Sequence, residues 1–182
     1  MEELALHILD LAENCIAAGA RHVQICVTEN QRDDQLRIEV SDDGAGMNSE
    51  ALQRSTDPFF TSRTTRRVGL GLPLFEQAAK RAGGEFRIES RPGGGTKVTG
   101  VFRHSHPDRQ PLGDIGQTLL TLVVGSPQVE FTYRRRTDDS EVFFDTQDLR
   151  ARLGNVPLSS PQGIAAVRFA LAAITPAALS RP

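Results

Sequence analysis

The chain contains no apolar run approaching the roughly 20 residues that a membrane-spanning helix needs. Its opening, MEELALHILDL, lacks the basic n-region and apolar core of a secretory signal. Net charge is small: 21 Lys and Arg face 23 Asp and Glu, leaving −2, so nothing calls for nucleic acid or another polyanion as a partner. Arginines gather only locally, at Arg63, Arg66 and Arg67 and at Arg134–Arg136, and such clusters are ordinarily solvated surface. Cysteine is scarce. Cys15 and Cys26 sit in apolar-periodic stretches without metal-ligand spacing, which reads as reduced core residues of a cytoplasmic protein. Repeats and low-complexity tracts are absent. What remains is 182 residues, 38% hydrophobic and 24% charged, enough for one ordinary soluble domain with a small appendage and for no membrane association.

Periodicity organises the first hundred residues. Leu4, Ile8, Leu11 and Cys15 recur at helical steps and predict an amphipathic helix over 2–18, stopped by Gly19. Val23, Ile25 and Val27, then Leu36, Ile38 and Val40, alternate with polar residues and predict two strands joined by a polar turn. After the loop Asp42-Asp43-Gly44-Ala45-Gly46-Met47 comes a short helix around 49–54. Residues 55–68 show little periodicity. A helix over 72–82 follows, with Pro73 in its first turn and Gly83-Gly84 at its end. Strands over 85–90 and 96–103 flank a glycine-rich turn. Residues 104–114 read as a linker, dividing a first domain (1–103) from a small C-terminal α/β region (115–182). That region holds three apolar stretches, Gln117–Val124, Val129–Arg136 and Glu141–Phe144, then helices near 147–153 and 161–174.

Three segments fit one ligand. On the first helix Asp10 and Asn14 lie about 40° apart, with His7 on the same flank and the apolar stripe beside them. An amide there can ligate Mg²⁺, and a carboxylate one turn earlier can order a water or deprotonate a hydroxyl. Alternatively, both are solvent-facing residues of an ordinary amphipathic helix. In the loop, strand parity continues the inward face to Asp42 and turns Asp43 outward. An inward carboxylate needs a donor partner, and the adenine amino group is one. Gly44 and Gly46 let the chain turn closely around a flat ring. The competing reading is a plain Asp-Gly turn; the pattern of an EF-hand calcium loop is missing. In Val68-Gly69-Leu70-Gly71-Leu72-Pro73, glycines at a helix start expose N–H groups suited to phosphate. No Lys-Ser/Thr follows them, which excludes a Walker A loop, and the third glycine of a dinucleotide fingerprint is absent. Arg63, Arg66 and Arg67 could grip the β- and γ-phosphates from a lid. Thr96 shares parity with Val98 and Phe102, so its hydroxyl faces inward, toward Asp42 or a bridging water.

These residues resemble the motifs of the GHKL ATPases (gyrase B, Hsp90, histidine kinases, MutL). Asp10-Leu-Ala-Glu-Asn14 looks like the family's N box and Asp42-Asp-Gly44-Ala-Gly46 like its G1 box. Asp57-Pro-Phe59-Phe60-Thr61-Ser-Arg63 resembles the F box of histidine kinases, Gly69-Leu-Gly71-Leu-Pro the G2 box, and Gly95-Thr96 the final glycine-threonine pair. The resemblance covers about residues 2–103 and implies a Bergerat-type α/β two-layer sandwich with a mixed sheet. It implies ATP and Mg²⁺ as cofactors, with Asn14 on the metal and Asp10 at the catalytic base position. Asp42, Gly44, Gly46, Met47, Phe60, Arg63, Arg67, Gly69, Leu70, Gly71, Leu72 and Thr96 would then line the nucleotide. It further implies a protein partner, as phosphoacceptor or regulatory target, and allows a homodimer.

The sequence departs from the family in three places. Asp10 stands where the family's ATPases usually carry Glu, Arg67 where histidine kinases commonly have another glycine, and only nine residues precede Asp10. A first sheet strand and a phosphoacceptor hairpin are therefore expected to be missing, and His7, within the nucleotide helix, cannot be the acceptor. The strands of the tail either form a small unit of their own or supply the missing sheet edge. The expected function is a kinase component acting on a separate protein, or an ATP-dependent switch with slow or no hydrolysis.

Overall fold

Alternation in the early strands decides which face of the sheet is covered. In the computed structural model, which describes residues 3–57 and 71–174, β1 (His22–Asn30) pairs antiparallel with β2 (Gln35–Asp42), setting Ile25 opposite Val40. Val23, Ile25, Val27, Leu36, Ile38 and Val40 are each 1% exposed or less. The apolar stripe of α1 (Leu4–Ala17) lies against them through Leu4, Ile8 and Leu11. The short α2 (Ser49–Gln53) is capped by Asn48, whose Oδ1 accepts from the Ala51 amide at 2.8 Å. After α3 (Gly71–Arg81) come β3 (Glu85–Ser90) and β4 (Thr96–Arg103), both antiparallel, with β4 beside β2. Phe75 of α3 packs edge-on against Phe86 and Phe102 of these strands, an arrangement that fixes the helix over the sheet.

Of the three apolar stretches beyond residue 114, the first is a helix. α4 (Ile115–Gly125) is capped by Asp114, which accepts the Gln117 amide at 2.8 Å, and buries Ile115, Leu119, Leu122 and Val123 at helical spacing. The other two are β5 (Glu130–Arg136) and β6 (Glu141–Asp145), followed by α5 (Thr146–Leu153) and α6 (Pro161–Ile174). β5 runs parallel to β1, with Tyr133 beside Ile25, and β6 pairs antiparallel outside it. One mixed six-stranded sheet results, in the order β3-β4-β2-β1-β5-β6. The region after the irregular 104–114 segment thus extends the sheet edge, and its apolar residues join the core of the first hundred rather than forming a separate one.

α1 packs between α3 and α4, and α4 against α6, making a helical layer over the buried face. The opposite face of the sheet is charged, with Glu39 held by Arg37 at 3.3 Å and Lys97 at 2.7 Å. The segment after β4 also closes the start of α1: the Leu4 amide donates to Pro111 O at 2.9 Å and Ala5 to Leu112 O at 2.8 Å. Two amides that a helix start leaves without intrahelical partners are thereby satisfied. No helix among the described residues is long and apolar enough to cross a membrane.

Candidate functional site

α1 supplies the first wall. Asp10 and Asn14 project from one flank toward the first residue of α3. A β-carbon placed on Gly71 would stand 3.3 Å from Asp10 Cβ and 3.4 Å from Asn14 Nδ2. The seam they enter is therefore the one between two helices, at the first described residue of α3. Leu72, the next residue, is partly buried and packs on the core. His7 continues the flank but is a core residue at 5% exposure, with Nε2 at 3.0 Å from Gln110 Oε1 and its ring 5.9 Å from that of Phe75.

The 42–47 loop supplies the second wall. Asp42 ends the inward face of β2, partly buried, and its Oδ1 accepts the Gly44 amide at 2.7 Å. Burial, reinforced by the Asp42 carboxylate, pushes the thiol of neighbouring Cys15 well up; it stays protonated, and its Sγ donates to Leu11 O at 3.2 Å. Asp43 has a different task. Its exposed carboxylate accepts the amides of His22 and Arg21, at 2.9 and 2.8 Å, and tethers the start of β1. Those bonds, that of His22 foremost, hold its carboxyl below the usual carboxylate range. Parity separated the two aspartates by direction, and the bonds separate them by work.

The loop is clamped on both sides. Ala45 N donates to Ala18 O at 3.0 Å, while Gly93 N and Gly95 N donate to Ala45 O and Gly44 O at 2.7 and 3.1 Å. Gly46 and Gly95 adopt φ of +66° and +71°, and a β-carbon on either would overlap a backbone oxygen, of Arg91 and of Asp42 respectively. Only glycine meets both demands. Met47 is fixed through its amide, which donates to Ser90 Oγ at 2.8 Å.

Thr96, on the helix side of β4, does not pair with Asp42; its Oγ1 lies 2.9 Å from Ser90 Oγ. Ser90 escaped the sequence reading, although its parity with Phe86 and Ile88 and its place across the glycine turn from Thr96 could have found it. Asp42, Ser90 and Thr96 border an open space of about 420 Å³ at this end of the sheet, which also draws on Ser41 and Lys97 from the charged face. Phe60, Arg63, Arg66, Arg67, Gly69 and Leu70 lie outside the described residues. Among the described residues no cluster of three or more His, Cys, Asp or Glu could hold a metal. Magnesium in nucleotide sites needs no such cage, because phosphates and waters supply most of its ligands.

The sequence model of the histidine kinase-, DNA gyrase B- and HSP90-like ATPases matches residues 2–106. The sensor protein kinase FleS of Pseudomonas aeruginosa is 41% identical over 92 residues, which are 50% of this chain and 23% of FleS. The histidine protein kinase DivJ of Caulobacter vibrioides is 38% identical over 96 residues, 50% of this chain and 16% of DivJ. The chain therefore spans less than a quarter of the length of either. The fold is also that of the Aquifex aeolicus MutL ATPase domain complexed with ADP, with a TM-score of 0.52 at 14% identity over 93% of this chain and 69% of that one. The N-terminal domain of a DNA repair protein matches with a TM-score of 0.58 at 15% identity, over 93% of this chain and 57% of that one.

Proposed function

The chain belongs to the histidine kinase-, DNA gyrase B- and HSP90-like ATPases, and from that premise we propose that it binds Mg-ATP between α1, the 42–47 loop and the start of α3 and works as a kinase component on a separate protein. The observation that carries this reading is the meeting of Asp10 and Asn14 with Gly71, at the end of the sheet where Asp42 closes the inward face. A carboxylate, an amide and a helix N-terminus there match the three chemistries of the ligand: base, metal and phosphate.

Asp42 would accept from the adenine amino group, a bond that the carbonyl of guanine cannot return. Its Gly44 partner and its place at the rim of the core fix the carboxylate before a ligand arrives. The N-terminal amides of α3 and the dipole of that helix would take the phosphates, joined by Arg63 and Arg67. Asn14, through its carbonyl oxygen, would hold Mg²⁺ together with those phosphates, and the ion supplies neutralisation of the phosphate charge. Asp10, one turn before Asn14, would orient a water or the hydroxyl of an acceptor and take its proton.

The similarity to FleS and DivJ supports phosphotransfer to a protein. The one-methylene-shorter Asp10 favours the second reading, a nucleotide-dependent switch with slow turnover, whose closure over the γ-phosphate alters a surface offered to a partner. A homodimer and a cytoplasmic site of action accord with either. Incubation with γ-labelled ATP, with and without candidate partner proteins, separates the two. Label on protein supports the kinase, whereas free phosphate alone, or none, supports the switch.

A further inference from the structure

Ser90 has one hydroxyl hydrogen and three polar neighbours. Its Oγ receives the Met47 amide at 2.8 Å, donates to Gly95 O at 2.9 Å and lies 2.9 Å from Thr96 Oγ1. The hydrogen given to Gly95 cannot also go to Thr96, so at the third contact Thr96 is the donor and Ser90 accepts through its remaining lone pair. The Thr96 proton is thereby turned toward Ser90. Register places Val98 beside Val40 and Lys97 beside Ser41, so Thr96 and Asp42 are the next residues on the helix side of β4 and β2. Both border the same open space. One is a carboxylate and the other a hydroxyl with only lone pairs to offer.

We infer that Ser90 is a specificity-determining positioning residue: by accepting the Thr96 proton it presents Thr96, beside Asp42, as a second acceptor, so that the pair selects a 6-amino purine over a 6-oxo purine. The inference rests on the nucleotide reading of the site. A 6-amino group has two N–H bonds and meets two acceptors; a 6-oxo group meets two repulsions. The same hydroxyl also joins the loop bearing Met47 to the β3–β4 turn.

The test compares the dissociation constants of ATP and inosine triphosphate by calorimetry for the full chain, Ser90→Ala, Ser90→Cys and Ser90→Thr, each checked for folding by thermal melting. In Ser90→Ala the Thr96 proton is released to face the ligand, and the preference for ATP is expected to fall about tenfold, mainly through tighter binding of the inosine nucleotide. Ser90→Cys, with a weakly accepting sulfur, is expected to move the same way and serves if the alanine variant does not fold. Ser90→Thr keeps the hydroxyl and should restore the original preference. A merely structural role would weaken both nucleotides equally, and an unchanged ratio in Ser90→Ala or Ser90→Cys overturns the inference while leaving ATP binding standing. A wild-type chain that bound neither nucleotide would overturn the site reading itself, and this inference with it.

Discussion

Asn14 meets α3 at its first residue: a β-carbon on Gly71 would lie 3.4 Å from Asn14 Nδ2, inside ordinary contact distance. The turn of α1 that carries the amide and the first described turn of α3 are thus one place. In the nucleotide site proposed above, metal and phosphates are held together only if both helices keep this approach.

Replacing Asn14 by Ala removes the carbonyl oxygen proposed to hold Mg²⁺ and leaves the helix with a better helix former. ATP affinity should then become indifferent to magnesium concentration in a variant that still melts cooperatively. Titrations in magnesium and in EDTA measure this directly. A persistent magnesium effect in the variant assigns the metal to other residues.

Asp43→Ala separates architecture from ligand binding. Losing two backbone partners at Arg21 and His22 should cost about 1 kcal/mol, a modest figure because the carboxylate is exposed and screened. ATP affinity should stay within twofold of wild type (about 0.4 kcal/mol). A large loss of affinity with full stability would reverse the roles given to the two aspartates.

Acid should weaken the fold through the same kind of group. The Asp34 carboxyl, hydrogen-bonded first by the Ser105 hydroxyl and then by Arg103, is lowered from 3.8 to about 2, and Asp43 is lowered as well. A folded-state value below the unfolded one means that stability is fully present above about pH 4 and is lost as the pH falls toward 2. Asp34→Asn should flatten that limb of the denaturation profile. An unchanged limb would place the acid sensitivity elsewhere.

A chain cut after residue 104 would lose β5 and β6 and the carbonyls of Pro111 and Leu112 that close α1. It should neither fold nor bind ATP, since β1 would become an edge and Tyr133 and Phe131 would leave Ile25 and Val23 uncovered. A truncated chain with a cooperative melt and intact ATP binding would show that the first hundred residues fold without that edge.

Much of this could be read beforehand because short-range periodicity determined it. Period-two runs gave β1 to β4 and the choice of Asp42, and the spacing of Leu4, Ile8 and Leu11 gave the phase that sets Asp10 and Asn14 together. Residues 117–124, QTLLTLVV, are mostly apolar and carry no clear period; the helix was signalled instead by Asp114, a cap hidden within an apparent linker. The parallel pairing of β5 with β1 was illegible, because a partner so distant in sequence is chosen by the covering helices rather than by local residues. Ser90 was passed over since one serine in a strand announces nothing until its three neighbours are in place.

The central claim is that Asp42 reads adenine in an Mg-ATP site. Its most direct test is calorimetric titration of Mg-ATP into the wild-type chain and into Asp42→Asn, which keeps an oxygen for the Gly44 amide. The expected result is saturable binding to wild type and a loss of at least about 1.5 kcal/mol, or more than tenfold, in a variant with an unchanged melting temperature. Equal affinity of the two proteins for Mg-ATP would contradict it.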